Sequence, residues 1–108
     1  MKKKSVSHTT AADGNVFADL GLEGAGDLLA KTDLALAITR EVRRRGLTQS
    51  AAGELTGLTQ ADISRISHGK VETFGQERLL GALRHLGMDV EIVVHQHGSG
   101  KVMVRELV

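Results

Sequence analysis

The amino-acid sequence predicts a mainly α-helical chain: four to five helices in one compact domain, with a β-strand or hairpin appended at the C-terminal end. Three observations carry this. Apolar residues recur at helical spacing through residues 28–45 and 75–86. Between them, residues 46–70 read GLTQSAAGELTGLTQADISRISHGK, two short helix patterns back to back, each opened by Leu-Thr-Gln and closed by glycine. After Gly87 the pattern becomes β-branched, in Val90-Glu91-Ile92-Val93-Val94.

Composition agrees. The 108 residues are enough for one small domain and too few for two. Apolar content is 41%, which is globular, and Phe17 and Phe74 are the whole aromatic complement. The core must therefore be built from Leu, Ile, Val and Ala. With no cysteine there is neither a disulfide frame nor a thiolate metal site. No apolar run approaches the roughly 18 residues of a membrane span. Lys2-Lys3-Lys4 could open a signal peptide, but residues 5–15 lack an apolar region to follow it. The expectation is a cytoplasmic protein.

Residues 1–14 are polar and basic and are expected to be a disordered arm. Residues 15–87 form the predicted domain. Val16, Phe17, Leu20 and Leu22 make an apolar patch without a clear period, either an arm across the domain's own core or a segment that docks on a partner. Residues 28–45 are a strong amphipathic helix. Leu34, Ala37, Ile38 and Val42 share its core face, and Asp27 is the candidate N-cap, with an extra turn possible before it. Arg40, Arg43, Arg44 and Arg45 crowd its C-terminal turns. There they either simply complement the helix dipole or touch phosphate beside the next segment.

Helices over 48–56 and 59–67 follow. Thr48 and Thr59 are candidate N-caps, and Asp62 suits the positive end of the second helix dipole. Gly53, Gly57, Ile63 and Ile66 lie 4, 8, 14 and 17 residues after Gln49. That spacing supplies a small residue in the first helix, a glycine in the turn and two branched apolar residues in the second. It describes a helix-turn-helix over 48–67. Gly53 stands where alanine is expected to serve equally well. Phe74 precedes a last helix, 75–86, striped by Leu79, Leu80, Leu83 and Leu86 and closed by Gly87.

Residues 88–108 are the strand segment. Val90, Ile92 and Val94 are the dimerisation candidates, and Lys101 to Val108 again alternates. A lone strand or hairpin is barely stable in water. It either folds back on its own helices or pairs with a second copy across a two-fold axis.

The GLTQ opening, Gly57, Gln60 and the I-S-R-I run at 63–66 resemble the XRE class of repressor/Cro-like helix-turn-helix proteins. NVFADLGL at 15–22, LLAKTDLALAI at 28–38, FGQERLL at 74–80 and LGMDVEIVV at 86–94 resemble HigA-like antitoxins carrying this domain. The resemblance implies a compact repressor-like helix-turn-helix domain, repression of its own operon, and a RelE-like ribonuclease toxin as partner. The alternative is a stand-alone or phage-like regulator without a toxin.

In a helix-turn-helix the second helix enters the DNA major groove. Gln60 can then bond adenine, Ala61 can touch a thymine methyl, and Arg65 can address guanine or phosphate or remain plain surface charge. Thr48 and Gln49 are placed for phosphate, Ser64 for phosphate or base, and Thr59 and Lys70 complete the candidate set. Asp62 is expected to point away from phosphate or to accept from a cytosine. A palindromic operator read by a homodimer follows, with half-sites about 34–36 Å apart. Net charge is only +1, so the basic residues matter by position. No catalytic residue, cofactor or metal site is expected: His95 and His97 could share a metal, but no third ligand follows at a matching spacing.

Overall fold

The computed structural model describes residues 25–106. The basic arm over 1–14, the apolar patch of Val16, Phe17, Leu20 and Leu22, and the last two residues lie outside the described residues. Four helices are present among the residues described: α1 (Ala25–Arg44), α2 (Gln49–Thr56), α3 (Gln60–Ser67) and α4 (Gln76–His85). α1 packs along α4 and against α3, while α2 packs on α3 and α4.

The core follows the predicted stripes. Leu34, Ala37, Ile38 and Val42 of α1 are buried with Ile63 and Ile66 of α3 and with Leu79, Leu83 and Leu86 of the last helix and its end. Phe74 and Val71, in the α3–α4 link, are also fully buried. Phe74 sits one residue before the α4 N-cap Gly75 and shares the core with Leu79, the spacing of a hydrophobic staple. Leu80 is only partly buried at the margin.

Asp27 is not the cap of α1. The helix already includes Ala25, so Asp27 lies within its first turn. Its carboxylate pairs with Lys31 at 3.1 Å and accepts from the Gln76 side chain at 2.6 Å, joining the starts of α1 and α4. A carboxylate in a first turn is favoured by the helix dipole whether or not it caps.

The α2–α3 joint is tighter than the sequence suggested. Gly57 takes φ of 80° and closes α2 by donating its N–H to the Gly53 carbonyl oxygen at 2.9 Å. A Cβ added at Gly53 would lie 2.7 Å from the Leu58 carbonyl oxygen. Alanine therefore does not serve equally well there, because the following turn occupies its place. The buried Thr56 hydroxyl donates to the Ala52 carbonyl oxygen at 2.7 Å, so a polar group inside the joint is satisfied.

The predicted C-terminal strand or hairpin does not form within the described chain. Residues 88–106 contain neither helix nor paired strand. Strand pairing needs a neighbouring edge, and among the described residues none lies beside Val90, Ile92 and Val94. All three are exposed, Ile92 at 76% and Val94 at 87%. The chain beyond them returns to the helices: Val104 packs on the core margin and Glu106 pairs with Arg40 at 2.6 Å.

Candidate nucleic-acid interface

The interface is built on two helix starts. Thr48 caps α2, its hydroxyl oxygen accepting the Ala51 N–H at 3.0 Å. Thr59 caps α3 in a reciprocal box: its hydroxyl oxygen accepts the Asp62 N–H at 2.9 Å, and the Asp62 carboxylate accepts the Thr59 N–H at 3.2 Å. In both threonines the hydroxyl proton remains available to a phosphate oxygen.

α3 is held by Ile63 and Ile66, both buried. Helical geometry then turns residues 60, 61, 64 and 65 to other faces. Gln60, Ala61 and Arg65 are exposed and Ser64 is half-buried. Lys70 is exposed just beyond the helix, its backbone N–H bonded to the Arg65 carbonyl oxygen at 2.9 Å. Gln49 begins α2 and lines an open cleft of about 190 Å³ between α1 and the helix pair, together with Arg43, Ser67, Ile63 and Ile66.

The arginines of α1 divide. Arg44 and Arg45 both bond the Glu41 carboxylate, at 2.6 and 2.7 Å. The Arg44 hydrogen bond and then that of Arg45 hold the Glu41 pKa at about 2, against a smaller opposing effect of burial. Arg45 also donates to the Leu86 carbonyl oxygen, locking the end of α1 to the end of α4. These two serve the fold. Arg43 has no ion-pair partner among the described residues and is exposed beside Gln49, free to meet an anion.

Asp62 is engaged within the fold. One carboxylate oxygen accepts from Arg65 at 2.7 Å, and the other from Arg78 at 3.1 Å. The bond from the Thr59 backbone is the main cause holding its pKa below the ordinary carboxylate range, with Arg78 and Arg65 adding to it. Arg78, in the first turn and a half of α4, also lies over the Phe74 ring at 5.0 Å. Arg78 was not foreseen as part of this surface. Its spacing from Phe74, four residues, was a usable signal for the stacking; its approach to Asp62, sixteen residues away, was not.

A tight helix pair whose second member is anchored by two isoleucines and presents amide, methyl and guanidinium groups outward defines a class: a helix-turn-helix DNA-binding regulator of transcription. The chain belongs to the XRE family of helix-turn-helix proteins. A family model described as a helix-turn-helix domain matches residues 16–95. A solved structure described as an XRE-family transcriptional regulator is 33% identical and superposes with a TM-score of 0.65, the match covering 78% of this chain and 94% of that one. No curated protein matches the chain. Among the described residues no helix is long and apolar enough to cross a membrane.

Proposed function

We propose that the protein is a sequence-specific transcriptional repressor that binds a palindromic operator as a homodimer, and that it is the antitoxin of a type II toxin–antitoxin pair. The observation that carries DNA reading is the exposed face of α3. The exposed Gln60 amide makes no internal hydrogen bond among the described residues, and its oxygen and nitrogen are suited to the N6 and N7 of adenine. Ala61 offers its methyl to thymine, and Arg65 reaches a guanine edge or phosphate. Ser64 stands beside them. Thr48, Gln49, Thr59 and Lys70 bond backbone phosphates, which set position and make affinity fall with salt.

Dimerisation is assigned to residues 88–108 through Val90, Ile92 and Val94. These residues are exposed in the single chain and β-branched, and pairing the same strand from two copies would cover both edges at once. The antitoxin role is supported by the likeness of residues 15–22, 28–38, 74–80 and 86–94 to HigA-like antitoxins. Its partner is a RelE-like ribonuclease toxin, and the pair acts in the cytoplasm. A stand-alone XRE regulator is the second reading, favoured by the description of the similar solved chain as a transcriptional regulator.

The test is binding to a labelled fragment of the gene's own upstream region across a salt series. Tight binding that is lost in Gln60→Ala supports the operator assignment; equal binding of the two proteins overturns it. Growth arrest by the adjacent gene product, relieved by this protein, separates antitoxin from stand-alone regulator.

A further inference from the structure

The DNA-facing end of α3 carries an anion, which is unexpected so close to phosphates. Asp62 is only 14% exposed on its side chain and has its two oxygens engaged by Arg65, Arg78 and the Thr59 N–H. The backbone bond and the two arginines together hold the carboxylate at the start of α3. Arg65 meets it with one terminal nitrogen. A guanidinium has five donors, so the rest of the Arg65 fork remains available.

A fixed carboxylate treats the two DNA targets of Arg65 differently. A phosphate brings a second anion against Asp62 and is repelled. A guanine edge presents the neutral acceptors O6 and N7, and it can take the free donors while Asp62 keeps its own. The same carboxylate accepts from Arg78, stacked on Phe74, so part of that guanidinium is engaged as well.

We infer that Asp62 is a specificity-determining positioning residue, which buttresses Arg65 toward a neutral base edge and keeps Arg65 and Arg78 from gripping the phosphates of arbitrary DNA. The inference rests on the DNA-binding reading above.

The experiment measures affinity of the full chain for its upstream fragment and for a duplex of arbitrary sequence, each across a salt series, in wild type, Asp62→Asn and Asp62→Ser. Both substitutions keep a short acceptor for the Thr59 N–H and remove the charge. Circular dichroism melting identifies which variant stays folded at the assay temperature. The charge-free variants should bind arbitrary DNA about three- to tenfold more tightly, with a salt slope steeper by about one for each arginine that gains a phosphate. The ratio of upstream-fragment to arbitrary affinity should fall by about the same factor. Placed in an Arg65→Gln/Arg78→Gln background, Asp62→Asn should leave the slope unchanged. A folded variant with wild-type ratio and slope overturns the inference, as does an equal gain in the double-arginine background, which would reflect net charge alone. Wild type that binds the upstream fragment no better than arbitrary DNA overturns the DNA-reading proposal and this inference together, whereas specific wild-type binding with an unchanged Asp62→Asn overturns only this inference.

Discussion

A Cβ built on Gly53 would stand 2.7 Å from the carbonyl oxygen of Leu58, closer than non-bonded atoms settle. The two helices of the DNA-reading unit are therefore joined at a distance that only glycine permits. Gly53→Ala gains up to about 1 kcal/mol in helix propensity. It must also push aside backbone rather than a flexible side chain, and such overpacking costs about 1–3 kcal/mol. We expect net destabilisation of about 1–2 kcal/mol in urea unfolding, with DNA binding weakened because α3 is displaced.

The Thr59–Asp62 box should be worth a measurable part of the stability. Thr59→Ala removes the acceptor for the Asp62 N–H, and loss of such a cap costs about 1 kcal/mol. In a domain of this size that lowers Tm by about 4–8 °C. An unchanged Tm would mean that α3 is positioned by Ile63 and Ile66 alone.

Acid should weaken the fold through Glu41. Its pKa is about 2 in the folded chain against an ordinary 4.5. Between those values the unfolded chain binds more protons, so stability rises with pH there. The contribution is complete above pH 4.5 and is lost as pH falls toward 2. Asp62, shifted in the same direction, acts with the same sign. Unfolding midpoints measured from pH 7 down to 2 should therefore decline, and Glu41→Gln should flatten the acid limb while lowering the midpoint at pH 7.

On DNA, Gln60→Ala should weaken binding to the operator by about 1–3 kcal/mol with little change in the salt slope, because it removes a base contact. Lys70→Ala should instead weaken operator and arbitrary DNA alike and reduce the slope by about one. Competition binding at two salt concentrations distinguishes these patterns.

The C-terminal segment offers a clean test of assembly. Ile92 and Val94 are exposed in the single chain. Ile92→Lys and Val94→Lys should therefore leave the monomer's stability within about 0.5 kcal/mol. If residues 88–108 pair two copies, the double variant should sediment as a monomer and bind operator half-sites without cooperativity. A dimer that survives both substitutions would place the two-fold contact elsewhere.

Much of the fold was legible because it is governed by neighbours in the chain. Thr48 and Thr59 cap the helices they precede, Gly57 and Gly87 take positive φ where the patterns end, and the stripes of α1 and α4 face inward. Asp27 misled because a first-turn carboxylate and a cap look alike in composition. The strand pattern at 90–94 was legible as β-branched sequence, yet pairing depends on an edge that the described residues do not provide.

The residues alone settled where α2 and α3 start and stop and which face of each helix is apolar, since caps, turns and i to i+4 spacing act within a few residues. They also marked Gln60, Ala61, Ser64 and Arg65 as standing away from the Ile63 and Ile66 anchor. Folding settled what depends on approach through space. It brought Arg78 to Asp62, set Arg45 against the Leu86 carbonyl oxygen, left Arg43 unpaired among the described residues, and closed the α2–α3 joint until Gly53 became a requirement. Charges and close contacts of this kind depend on distances of a few ångströms between residues far apart in the chain, and local patterns do not encode such distances.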